Sequence, residues 1–361
     1  MHESFLSHDV RLRGIAGSDG SRTAGNGPVI VLYRLGSLGD TIVALPCIHA
    51  ARRTFPDARW VLLTNHPVSE VAPSPASVLG SSFIERVIEY PLGTQSLPTL
   101  WTLAKVLRSL GSDTMIYIPA KRGGWAAWRD WVFFKLIGFR RILCFPRSVD
   151  LQTHRQESGT GNVEREASRL VRCCRADFGP IDLEARESWD LRLTAKECAQ
   201  GRAVLSSAVG RSVIAVNMGG KTPLQDWGEE NWRVLFQILA PSRGEYGLVF
   251  LGAPEDRERA EKVAVGWRGS VLNACGTLSP RESAAVLAGV DLFVGHDSGP
   301  MHLAASLGVN TLGLFGTKDL PPGQWYPTGP RVTVLQATDG MQSLSVESVV
   351  DKVNALLDSD Q

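Results

Sequence analysis

Five short segments carry the side-chain types that chemistry would need. The first, Arg34-Leu35-Gly36-Ser37-Leu38-Gly39-Asp40, sets a carboxylate beyond two glycines. Those glycines allow a tight turn and let a ligand approach the backbone. Asp40 then has two readings: a cap on the helix that follows, or a general base facing a substrate hydroxyl. Gly36 and Gly39 do not satisfy the G-x-G-x-x-G spacing of a dinucleotide loop. The second segment runs Gly295-His296-Asp297-Ser298-Gly299-Pro300-Met301-His302-Leu303-Ala304-Ala305. Amides freed near Ser298, Gly299 and Met301, together with the helix dipole, suit a pyrophosphate; Pro300 has no amide and only shapes the turn. The competing reading has Asp297 capping and His302 packed as a polar core residue. The third, Asn217-Met218-Gly219-Gly220-Lys221-Thr222-Pro223, offers a lysine and a hydroxyl to a diphosphate. It is not a P-loop, because position 215 is Ala and Pro223 interrupts the turn. The fourth, Gly252-Ala253-Pro254-Glu255-Asp256, offers a carboxylate to ribose hydroxyls, or acids that complement a helix start. The fifth, Lys121-Arg122-Gly123-Gly124-Trp125, is a basic loop suited to an anionic acceptor or to plain solvation.

These segments need elements that hold them at the ends of strands. Val29–Tyr33 is a short apolar run of the kind that forms a buried parallel strand, and the Arg34–Asp40 turn follows it. Strands are also predicted at Trp60–Thr64, Phe83–Tyr90, Thr114–Ile118 and Arg141–Phe145, with helices at Leu97–Leu110 and Ala126–Ile137. After a polar stretch, Asp150–Asn162, and a helix near Val163–Arg175, the pattern restarts. Strands at Val213–Asn217, Leu248–Gly252, Asp291–Val294 and Thr311–Phe315 alternate with helices at Glu229–Leu239, Glu255–Val265, Pro300–Leu307 and Val346–Leu357. Thr194 with Glu197, and Ser279 with Glu282, read as capping boxes. Alternation of this kind means βαβ units and a parallel sheet. The expected architecture is therefore a leader over 1–27 without stable order, a first α/β domain over 28–180 and a second over 181–361. Ligands of open α/β sheets bind beyond the carboxyl ends of the strands, which is where all five segments fall.

A chain of 361 residues with a formal net charge of +1 excludes a strongly basic nucleic-acid binder, so no nucleic-acid partner is expected. The six cysteines form no CxxC pair, and read as reduced structural thiols of a cytoplasmic protein. No apolar run approaches the ~20 residues that span a bilayer. Any membrane association is then expected to be peripheral.

Taken together, the segments resemble the family nine glycosyltransferases, whose members include the heptosyltransferases of lipopolysaccharide synthesis. VLYRLGSLGDTIVALPCIHAARRTFPDARWVLLTN is similar to that family's opening strand, turn and helix. DLFVGHDSGPMHLAASLGVNTLGLFGTKD is similar to its donor-site signature and following strand. The resemblance covers most of residues 28–357. It implies a GT-B fold, two facing Rossmann-like domains with a central cleft, the first taking the acceptor and the second the nucleotide sugar. It also implies transfer with inversion and without a metal or other cofactor, at the inner face of the inner membrane. Asp40 matches the family's catalytic base. Lys221, Thr222, Glu255, Asp297, Ser298, Gly299, Met301 and His302 fall to the donor, and Gly36, Ser37, Gly39, Lys121 and Arg122 to the acceptor. The chain departs from the heptosyltransferase pattern before Trp227, where Gln225 and Asp226 stand in place of a lysine; this leaves the donor sugar open. Two alternatives share such a donor site: a GT-B nucleotide-sugar epimerase or hydrolase, which needs no acceptor, and a nucleotide-sugar binding protein without turnover.

Overall fold

The computed structural model describes residues 10–15, 27–66, 73–91, 93, 96–159, 161–208, 212–220, 223–316 and 323–359. The chain divides into two compact units, one of residues 1–155 and 166–188, the other of 156–165 and 189–361.

The first unit is built on six strands: β1 (Arg11–Gly14), β2 (Val29–Tyr33), β3 (Arg59–His66), β4 (Arg86–Pro91), β5 (Thr114–Tyr117) and β6 (Arg141–Leu143). Their order is β1-β4-β3-β2-β5-β6. All neighbours are parallel except β1, which runs antiparallel to β4 with Arg11 opposite Glu89 and Gly14 opposite Arg86. β2, β3 and β5 are buried along nearly their whole length because both of their faces are covered, as for parallel strands between helix layers. Within the stretch expected to lack order, residues 11–14 form β1: Val10 is buried in the core, and Arg13 pairs with the buried Glu89. After β2 the chain forms two helices, Leu38–Ile42 and Leu45–Thr54, with Pro46 in the first turn of the second, where its missing amide costs nothing. The helix Glu166–Phe178 returns to this unit and packs on Leu45–Thr54. Arg169 grips the Glu166 carboxylate from it with two bonds of 2.7 and 2.6 Å. Burial raises the pKa of Glu166, but the hydrogen bonds from Arg169 and His154 prevail and hold it at about 2.

The second unit repeats the plan. Its strands are β7 (Val213–Asn217), β8 (Gly247–Phe250), β9 (Val271–Asn273), β10 (Leu292–His296), β11 (Asn310–Gly316) and β12 (Val332–Ala337), in the order β12-β11-β10-β7-β8-β9 and parallel throughout. Trp227, Trp232, Phe236 and Phe250 fill the core beneath the helix Glu229–Arg243. Both capping boxes form: Thr194 with Glu197, and Ser279 with Glu282. The division at 188/189 lies beyond the expected 180/181, and 156–165 belongs to the second unit, where Gly323 packs on Val163. In each sheet the strand order reverses once, between β2 and β5 and between β7 and β10. Those two switch points are where a doubly wound sheet opens a crevice for a ligand.

Candidate active site

At the switch point of the first unit, the chain leaves β2 through Arg34, whose guanidinium is wholly buried. It donates to the carbonyl of Ile118 beyond β5 at 2.5 Å and to the carbonyl of Asp40, so one side chain ties the two strand ends together. Arg34 also stands 4.0 Å from Asp40 Oδ1. Asp40 Oδ2 accepts from the amide and the hydroxyl of Ser37, at 2.7 and 2.8 Å. The capping role weighed from the sequence is therefore the one the carboxylate plays here, through one oxygen. Gly36 makes it possible: its φ is +108°, and a Cβ there would come within 2.7 Å of the Asp40 carboxyl carbon. Gly36 N–H donates to Asn65 Oδ1 at 3.3 Å, fixing the loop to the end of β3. Gly39 is buried in the first turn of the helix.

The basic loop after β5 divides its two charges. Arg122 donates to Tyr33 Oη at 2.8 Å and faces Asp130 at 3.5 Å. Tyr33 and Tyr90 share a hydrogen bond of 2.7 Å, and Tyr117 donates to Asp130 at 3.0 Å. Burial raises the pKa of Tyr33, Tyr90 and Tyr117 alike, so these phenols stay protonated. Arg122 is thus committed to a network inside the unit, whereas Lys121 is exposed. Both border a small recess, partly open to solvent, whose wall includes Gln152 and Arg169.

In the second unit, the residues at the ends of β7, β8 and β10 come together. Asn217 Nδ2 donates to Leu251 O at 2.8 Å. Asp256 lies against two glycines: its Oδ2 would sit 2.6 Å from a Cβ at Gly219 and 2.4 Å from one at Gly252. Of the two acids foreseen at this turn, Asp256 points inward and Glu255 is exposed. Burial raises the pKa of Asp256 despite a hydrogen bond from Ala253 N–H. Ser298 caps the helix Gly299–Ser306, its Oγ accepting from Met301 N–H at 3.4 Å. Ser298 and Gly299 are partly open, while Met301 and His302 are buried in the first turn. Met301 and His302 therefore shape the helix start from within. Asp297 accepts from Gln225 Nε2 at 3.2 Å and stands 3.8 Å from His302 Nε2. Lys221 and Thr222 lie outside the described residues.

Two features were not foreseen. Asp226 is held by Arg259 through bonds of 2.9 and 2.6 Å and caps Gly228 N–H at 2.8 Å. The two residues that depart from the heptosyltransferase pattern are thus both engaged, Gln225 on Asp297 and Asp226 on Arg259. The second is His296, fully buried, whose Nε2 accepts from Trp227 N–H at 3.3 Å, with Trp232 alongside. Burial pushes its pKa down from 6.5 to about 4. A histidine depressed in this way contributes stability that is full above 6.5 and is lost as pH falls through 4. The expected loss across that window is on the order of 3 kcal/mol. An NMR titration of the His296 imidazole should place its midpoint near 4, and a midpoint at the ordinary histidine value contradicts the reading. In the sequence His296 stood in the second segment, two residues beyond the predicted strand Asp291–Val294, and nothing there marked it as buried; β10 in fact runs on to include it.

Two doubly wound parallel sheets in one chain, each with its polar loops at the switch point, define a two-domain Rossmann-like protein of the GT-B class. A family model described as glycosyltransferase family 9 (heptosyltransferase) matches residues 145–354, more than half of the chain. The chain belongs to glycosyltransferase family 9. It is 32% identical over 131 residues to lipopolysaccharide heptosyltransferase 1 of Escherichia coli (strain K12), a match that covers 36% of this chain and spans only 40% of that relative. The fold is shared with a glycosyl transferase family 9 structure from Veillonella parvula DSM 2008, at a TM-score of 0.67 and 18% identity, covering 92% of this chain and 98% of that one. It is shared also with an E. coli heptosyltransferase solved with ADP-2-deoxy-2-fluoro heptose, at a TM-score of 0.60 and 18% identity, covering 91% and 99%.

Proposed function

We propose that this protein is an inverting, metal-independent glycosyltransferase. It moves a heptose or related sugar from a nucleotide diphosphate donor to lipopolysaccharide or another cell-surface glycan. The observation that carries this reading is the matched placement of polar groups: each sheet holds a carboxylate and a tight glycine loop at its switch point. In the transfer, an acceptor hydroxyl oxygen attacks the anomeric carbon, the bond from that carbon to the diphosphate oxygen breaks, and the nucleoside diphosphate leaves. Asp40 takes the hydroxyl proton. Its Oδ2 stays on Ser37, which holds the carboxylate in place and leaves Oδ1 for the substrate. Gly36, Ser37, Gly39 and Lys121 border the acceptor. Arg122 acts through Tyr33 and Asp130 rather than by contact.

The leaving diphosphate gathers negative charge, and preorganised positive groups stabilise it. Lys221, Thr222 and the helix start at Ser298 and Gly299 supply them, with Asp297 shaping the turn. Asp256 takes over from Glu255 the place of the ribose-facing acid. The reaction runs in the cytoplasm, at the inner face of the inner membrane, where a lipid-linked acceptor would be found. No helix among the described residues is long and apolar enough to cross a membrane. Competition calorimetry with a panel of nucleoside diphosphates tests the donor site. One diphosphate should bind well above the others, with adenosine diphosphate the first candidate, and EDTA should leave turnover intact. Equal weak binding of the whole panel, or loss of turnover restored by magnesium, would overturn the respective claim.

A further inference from the structure

The helix Gly124–Ile137 is apolar on two sides. Its inner side, Ala127, Phe134 and Ile137, packs into the first unit. Its outer side carries Trp125, Trp128 and Leu136, which are 73%, 53% and 74% exposed. The neighbouring helix Leu97–Ser109 adds Leu97 and Trp101, 79% and 60% exposed. Arg108 joins the two helices by donating to the carbonyls of Ile137 and Leu136. Soluble surfaces rarely gather large apolar side chains in this way, and such a patch marks a binding face. Four of the ten tryptophans fall between residues 101 and 131.

Charge decides what the face binds. The two helices hold four cations, Lys105, Arg108, Arg129 and Lys135, against one acid, Asp130, a net +3 in a chain of +1. Asp130 is itself buried and paired with Arg122 and Arg129. Lys105 Nζ sits 3.1 Å above the Trp101 ring, and Lys135 lies 5.7 Å from that of Trp131. Trp125 and Trp128 stack at 5.3 Å. Tryptophan belongs at the headgroup level of a bilayer, and lysine lays its stem on apolar surface while its charge meets anionic lipid.

We propose that these two helices dock the protein, without spanning, onto a bilayer surface that carries anionic lipid. The inference does not rest on the transfer reaction, since its test needs neither donor nor acceptor. The full chain should co-sediment with vesicles of phosphatidylglycerol and phosphatidylcholine, and far less with phosphatidylcholine alone. Salt should weaken that binding, and brominated lipid should quench tryptophan emission. Trp125→Gln with Trp128→Gln, both at exposed positions, should keep the melting temperature and lose the quenching. Lys105→Gln with Lys135→Gln should lower partition onto the anionic vesicles by about tenfold or more. Failure of the folded protein to bind anionic vesicles, or unchanged binding by the tryptophan pair, overturns the proposal. It is equally overturned if the wild-type chain is a dimer that the tryptophan pair dissolves, because the face would then be an interface between copies.

Discussion

Asp40→Asn is expected to fold, to bind nucleotide normally, and to lose roughly 10²–10⁴ in turnover, the range set by general base catalysis. The structure makes this substitution a clean one. The cap on Ser37 needs only an acceptor at the Oδ2 position, and an asparagine amide oxygen supplies it. Arg34 keeps its bonds to the carbonyls of Ile118 and Asp40, because neither involves the Asp40 side chain. What asparagine cannot do is take a proton from an acceptor hydroxyl. If Asp40 were a cap alone, its replacement would cost at most about 0.5–2 kcal/mol of stability and leave turnover near wild type. Melting temperature, nucleotide affinity and turnover, all measured on the one variant, separate the two roles. A stable variant with near wild-type turnover removes the catalytic assignment.

Lys221→Ala is expected to weaken nucleoside diphosphate binding by about 1.5–3 kcal/mol, the scale of a hydrogen bond to a charged group, which is about a 10–150-fold rise in Kd. Lys221 follows Gly219 and Gly220 at the end of β7, and β7 lies beside β10, whose end carries the capped helix start at Ser298. Asp297, the acid of the loop after β10, already accepts from Gln225, so a lysine directed at the diphosphate is not needed to satisfy it. Calorimetry with the preferred diphosphate gives the answer directly. Unchanged affinity takes Lys221 out of the donor site and leaves the helix start to hold the diphosphate.

Much of this was legible in the sequence, for definable reasons. Val29–Tyr33 and Val213–Asn217 were read to the residue because a central parallel strand is apolar on both faces and ends sharply at a polar turn. Of the four edge strands only β6 was read, at Arg141–Phe145; the other three escaped. β1 is mostly exposed and holds two arginines in four residues, β9 has three residues, and β12 is half-buried along most of its length. None offers the apolar run on which a strand is recognised. The two capping boxes were legible because their bonds are local. The role of Arg34 was not, since its partners are the carbonyl of Ile118, far along the chain, and the backbone of Asp40. Arg122 was taken for an open cation because the sequence does not show Tyr33, Tyr90, Tyr117 and Asp130 meeting around it. The choice between Glu255 and Asp256 likewise turned on which of two adjacent acids faces the glycines, and that is set by tertiary packing.

The most direct test of the central claim is the release of nucleoside diphosphate from the preferred sugar donor, followed with and without a lipopolysaccharide-type acceptor, with NMR of the product's anomeric centre. Release is expected only when acceptor is present, with a glycosidic bond of configuration opposite to the donor's. Equal release without acceptor would mark a hydrolase, and an altered sugar still joined to its nucleotide would mark an epimerase. A product that retains configuration would exclude direct attack assisted by Asp40, and binding without any turnover would remove the transferase reading altogether.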